Sequence, residues 1–143
     1  KGGSIFRDWI QEIMAFTKEH QGDEDFGPDA KLLFKASRAT GDFTMKFMEY
    51  FKEGKLSLIP LISTRFLECF AETAMAHFML EQGLIARKKL ADVDAKSADG
   101  IFYRGKMETV RFFCRNILPN VFARHAMLQQ EDTSAIDIPE EAL

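Results

Sequence analysis

Residues 57–80 read SLIPLISTRFLECFAETAMAHFML, and this stretch decides the fold class. Ile59, Ile62, Phe66, Phe70, Ala74 and His77 recur at spacings of three and four, with Ser63 and Leu67 beside them. That is the period of one helix face. Pro60 falls in the first turn, where a missing amide proton matters least. Gly83 could interrupt the run, but Leu84, Ile85 and Leu90 carry it to about residue 93. No stretch of the chain alternates apolar and polar residues over more than a few positions. The inventory of 14 Phe and 7 Met against three Val (Val93, Val110, Val121) is a poor supply for a sheet. Unbranched side chains lose little rotamer freedom in helices, so the chain reads as all-α.

Three more amphipathic segments flank this one. Ile5, Trp9, Ile13 and Phe16 define a helix over residues 5–20, with Ser4 as the expected N-cap. Leu32, Ala36, Ala39, Phe43, Phe47 and Tyr50 define a second over 30–53, ended by Gly54. Gly41 within it suggests a close approach by a neighbouring helix. The last helix, 101–130, is expected to be capped by Asp99 and to face inward through Met107, Val110, Cys114, Ile117, Val121 and Leu128. Pro119 should kink it. Short polar connections between long helices predict an up-down-up-down four-helix bundle, a single domain over residues 1–131. The acidic tail 132–143, DTSAIDIPEEAL, is expected to be flexible.

A net charge of −3 on 143 residues argues against nucleic acid as a partner. No segment reads as a membrane span. Two cysteines, Cys69 and Cys114, cannot build a disulfide framework, and no leader pattern suggests secretion, so a cytoplasmic location is expected. The chain opens on Lys1 rather than Met, which reads as a piece of something longer or a processed product.

The chemistry-bearing residues do not assemble a reaction centre. None of His20, His77 and His125 has an acid three residues before it, so the Glu-x-x-His fingerprint of a di-metal bundle is absent. Glu68 and Glu72, one turn apart, read as a solvated face, and Arg87-Lys88-Lys89 likewise near a helix C-terminus. His77 reads as a core or boundary histidine, and the two cysteines as small buried hydrophobes. Gly2-Gly3-Ser4 is no phosphate loop. No catalytic, cofactor-binding or metal-ligating residue is assigned within these 143 residues.

The most specific stretch is FYRGKMETVRFFCRNILP, in which Phe102-Tyr103, Lys106, Thr109, Arg111-Phe112-Phe113 and Ile117-Leu118-Pro119 stand out. It resembles the closing helix of the extended bacterial acyl-CoA dehydrogenases, the group around methylthiopropionyl-CoA dehydrogenase. Gly105 and Val110 replace two alanines usual there. An aromatic-rich helix like that around Phe66 to Phe78, and a second helix carrying Ala39-Thr40, fit the same group more loosely. The resemblance implies a flavoprotein parent that oxidises the Cα–Cβ bond of an acyl-CoA, with FAD and a glutamate base. The family places that base in a Tyr-Glu-Gly-Thr stretch that this sequence lacks, and Lys1-Gly2-Gly3 resembles the family's residues downstream of that stretch. FAD is therefore expected in the parent and not in this chain.

The expected role is a non-catalytic C-terminal domain packed on the rest of its own chain, or on a second subunit. The alternatives are a free-standing helical interaction module, or a small helical enzyme or metal protein. If a parent interface has been removed, apolar residues in excess of one inward stripe per helix should lie at the surface. Phe6, Phe26, Phe34, Phe112 and Phe122 are the expected ones.

Overall fold

The computed structural model describes residues 3–142. The helices are α1 (Ser4–His20), α2 (Gly27–Lys52), α3 (Leu58–Leu90), α4 (Ala98–Phe112) and α5 (Asn120–Gln130). A π turn (Phe113–Ile117) joins α4 to α5, and a 3-10 turn (Glu140–Ala142) lies in the tail. No strand occurs among the described residues.

The helix ends differ in detail from the sequence expectation. Gly3, with φ of 76°, precedes α1 in a left-handed conformation open to glycine, so Ser4 is the first helical residue and not its cap. Ser97, not Asp99, caps α4 by accepting a hydrogen bond from the Gly100 amide at 3.1 Å, and Asp99 sits in the first turn. α2 begins three residues earlier than expected, with Pro28 in its first turn. Gly83 leaves α3 uninterrupted, and the helix ends at Leu90.

Side-chain pairs give the bundle's order. Ile10 faces Gly41, and Lys18 lies over the Phe34 ring, so α1 and α2 are antiparallel. Thr40 and Thr73 share a buried hydrogen bond of 2.8 Å and Phe47 meets Phe66, making α2 and α3 antiparallel. Lys106 reaches Gln82 while Arg124 reaches Glu68 and Glu72, so the last helices run back along α3. The up-down-up-down course is thus observed. Ile13, Phe26, Leu33, Phe43, Tyr50, Leu80 and Val110 are among the side chains that close the core.

The kink at Pro119 takes a defined form. Lacking an amide proton, Pro119 cannot donate to Arg115, and one turn opens so that the Leu118 amide reaches the Phe113 carbonyl at 3.0 Å. The wide turn shifts the register. Leu118, not Ile117, is the buried residue between Cys114 and Val121.

Gly41 is a correction. A Cβ there would meet only Ile10 Cγ2 at 3.9 Å, an ordinary contact, so no close approach demands glycine. Gly41→Ala is expected to be neutral or to stabilise the domain by up to about 1 kcal/mol. Chemical unfolding checks this, and a loss beyond about 1 kcal/mol would mean that α1 presses on α2 here.

Candidate interaction surface

The polar clusters are staples between helices. Arg87 donates to Asp23 at 2.6 Å, and Arg111 donates to Asp25 at 3.1 Å, tying the α1–α2 connection to α3 and α4. Burial pushes the Asp23 carboxyl upward, but hydrogen bonds from Arg87 and from the Phe26 and Asp25 amides outweigh it and hold the pKa below its ordinary value. Arg115 grips the fully buried Asp29 through two bonds of 2.8 and 3.0 Å. Arg124 holds both Glu68 and Glu72; Glu68 is exposed, as a solvated face would have it, whereas Glu72 is half-buried. Arg87 likewise departs from the solvated reading of Arg87-Lys88-Lys89, whereas Lys88 and Lys89 are exposed.

The three histidines are far apart in role. His20 meets the Phe16 ring edge-on, and His125 sits 2.8 Å from Asp42. His77 is buried between Phe16 and Phe78, with Glu81 at 3.8 Å as its ionic neighbour. Among the described residues no group of three or more His, Cys, Asp or Glu could hold a metal ion. Burial pushes the Cys69 thiol up to about 11 and the Cys114 thiol up to about 12. Since the thiolate is the reactive form, neither is expected to react with a disulfide reagent at about pH 8 until the domain unfolds. Thiol titration with and without urea reads this directly.

What the structure does gather is exposed apolar surface. On α3, Cys69, Thr73, Ala76, Leu80 and Gly83 face the core. α1 covers the edge at Phe66, Phe70 and His77, and the last helices cover the edge at Glu68, Glu72 and Gly83. Between those edges runs an outer face at residues 67, 71, 74, 78 and 85, spacings that share one side of a helix. There Leu67, Phe78 and Ile85 are 63%, 53% and 59% exposed. Gln82 lies among them, and its hydrogen bond from Lys106 brings exposed Phe102, one turn earlier on α4, to the rim. α3 is therefore apolar on two sides. That explains why the stripe expected from the sequence lies rotated toward α1: Ile62 and His77 are buried, Ile59, Phe66 and Ala74 half-buried, and Phe70 exposed.

The five phenylalanines divide. Phe112 is 61% exposed, and Phe6, Phe34 and Phe122 are half-buried. Phe26 is fully buried against Gly83, Val110 and Arg111, which removes it from the surface. The residues that form the outer face of α3, Leu67 and Ile85 above all, lay beside or beyond the expected stripe. Their signal was present as apolar residues outside that stripe.

Several residues of the fourth-helix motif hold the bundle together, whereas Phe102 and Phe112 are exposed. Arg111 covers the Phe26 ring and pairs with Asp25, Tyr103 packs on the core, and Pro119 ends the wide turn. Among the described residues, no helix is long and apolar enough to cross a membrane.

Comparison with known proteins adds a family. The model described as acetyl-CoA dehydrogenase C-terminal like matches residues 9–139. Two proteins of Syntrophomonas wolfei subsp. wolfei (strain DSM 2245B / Goettingen), both described as butyryl-CoA dehydrogenase, are similar. One is 32% identical over 142 residues, covering 99% of this chain and 23% of the relative. The other is 33% identical over 143 residues, covering 100% and 23%. The chain thus spans about a quarter of the length of these relatives.

Proposed function

The chain belongs to the acetyl-CoA dehydrogenase C-terminal-like family, and on that premise we propose that it is the non-catalytic C-terminal domain of an FAD-dependent acyl-CoA dehydrogenase. The parent oxidises the Cα–Cβ bond of an acyl-CoA thioester, and this domain packs on the parent's catalytic body. The observation that carries the reading is the outer face of α3, where Leu67, Phe78 and Ile85 stand exposed on a helix whose opposite side is already core. Contiguous exposed apolar residues on the side of a helix away from its own core mark a surface that another part of a protein covers. Full burial of a Leu, Ile or Phe side chain stabilises by about 1.5–3 kcal/mol. These three are about half exposed, so docking can gain several kcal/mol from them.

The flavin site belongs to the rest of the parent. In this chain the large open groove between α1 and α2 is lined by apolar residues, among them Phe6, Met14 and Met45, and by Arg7, Arg38 and Asp42. Its two glycines, Gly3 and Gly41, lie on separate elements and form no phosphate loop, so no chemical step is assigned to these residues. Butyryl-CoA dehydrogenation by the two relatives suggests a short acyl-CoA as substrate of the parent.

The test substitutes Leu67→Glu and Phe78→Glu together in the full-length protein. Two buried carboxylates at the interface should release the domain, so that limited proteolysis severs it at least about tenfold faster than in the unsubstituted protein. The same pair in the isolated 143-residue chain should change its unfolding midpoint little, because both positions already face water. An unchanged proteolysis rate in the full-length double variant would overturn docking through α3. Saturable FAD binding by the isolated chain would overturn the placement of the cofactor.

A further inference from the structure

A groove of about 710 Å³ separates the N-terminal half of α1 from the C-terminal half of α2. This is a different surface from the outer face of α3. Its volume lies within the range of binding sites, and its walls include Met14, Met45 and Met48. Methionine side chains are unbranched and polarizable, so such walls adapt to an incoming shape. Met45 is 66% exposed and Met48 49% exposed. Arg7 and Arg38 also line the groove, both exposed, and neither has a carboxylate partner among the described residues. Asp42 lines the groove too, paired with His125, so its charged rim is mixed and its walls call for an apolar segment.

Chain geometry selects the occupant. Gly3 leads directly into α1 and itself lines the groove. Polypeptide that enters at Gly3 is therefore tethered at the groove, at an effective concentration in the millimolar range for a short connection. In a C-terminal domain that matches only 23% of its relatives' length, such polypeptide is the part of the protein nearest to hand.

We propose that the groove seats the stretch of chain that leads into Gly3 in the full-length protein. Its apolar side chains lie on Ile10, Met14, Met45 and Met48. The inference rests on the chain being the C-terminal domain of a longer protein. It adds a second contact to the docking face of α3, one that fixes how the domain is attached rather than what it covers.

The experiment compares Met48→Cys and Phe78→Cys, each in the full-length protein and in the 143-residue chain, whose core closes within itself. Cys69 and Cys114 are buried, so maleimide labelling of the short chain reads the introduced thiol, and peptide mapping reads it in the full-length protein. The proposal expects Met48→Cys to label at least about tenfold more slowly in the full-length protein than in the short chain. A photo-crosslinker placed at Met45 should be captured by the segment before Gly3, within about 20 residues, the length of a helix that would span about 30 Å. Equal labelling of Met48→Cys in both, with Phe78→Cys slowed in the full-length protein, overturns the groove inference and leaves docking through α3 standing. Equal labelling at both sites overturns the docking reading as well. Protection at Met48 with a crosslink to the tail 132–143, to a second copy or to a distant part of the protein overturns the assigned occupant.

Discussion

Phe26→Ala is expected to lower the stability of the domain by about 3–5 kcal/mol, the cost of deleting a fully buried phenylalanine and leaving a cavity. At this chain length that corresponds to a fall in Tm of about 10–20 °C. Phe26 sits at the N-cap of α2 with none of its surface exposed, and its ring is where three elements meet. A Cβ built on Gly83 of α3 would stand 2.9 Å from Phe26 Cζ and 3.1 Å from Val110 Cγ2 of α4. The Arg111 guanidinium lies 5.3 Å from the ring centroid. Gly83→Ala therefore overpacks the same spot and should cost about 1–3 kcal/mol. Because the two changes share one space, the double variant should lose less than the sum of the singles, the added methyl occupying part of the vacated ring. Urea unfolding of the three variants measures both quantities. A loss below about 1 kcal/mol for Phe26→Ala would show that the ring does not hold these helices together.

The second large effect is expected at Arg115→Met. Asp29 has no exposed surface, and Arg115 supplies the pair of charged hydrogen bonds that compensates its burial. Removing one partner of a buried ion pair costs about 3–5 kcal/mol, chiefly because the other charge is left unpaired. The Arg115 side chain is 47% exposed, so water can replace part of what is lost, and about 2–4 kcal/mol is expected. The position of Asp29 in the first turn of α2 also helps, since helix N-termini favour a carboxylate. Replacing both residues, as Asp29→Leu with Arg115→Met, should recover most of the loss, because no buried charge then remains. Failure of the pair to recover would assign the effect to packing around the π turn that carries Arg115.

The helices were largely legible in the sequence because a 3.6-residue apolar period is a local property. The faces were less so. In α2 the expected stripe is close to the observed core, with Ala36, Ala39, Phe43 and Tyr50 buried and Leu32 and Phe47 half-buried. In α3 apolar residues surround the axis, so periodicity has no single maximum to choose. The stripe read from Ile59 to His77 tracks the edge that α1 covers. In the last helix Met107, Val110, Cys114, Val121 and Leu128 are buried as expected, and only Ile117 gives way to its neighbour Leu118. A π turn adds a residue that no spacing argument anticipates, although Pro119 marks the place.

The interaction surface was legible only in outline. An excess of phenylalanine implies more apolar area than one core needs, but not which rings stay outside. Phe26 belongs to a connection whose Gly and acidic residues look like surface, yet Asp23 and Asp25 are drawn against Arg87 and Arg111, and the ring is carried inside with them.

The sequence by itself determined the all-helical class, the order and approximate length of the helices, and the family resemblance carried by residues 102–119. These depend on neighbours along the chain, where capping, period and motif act over one or two turns. The tertiary structure decided which side of α3 is core and which remains open, how Glu68, Glu72 and Asp29 are neutralised, and that α1 and α2 diverge into a groove lined by Gly3. Those outcomes depend on partners about 30 to 90 residues away, and a helix with two apolar sides is assigned its inner one only when other helices arrive to cover it.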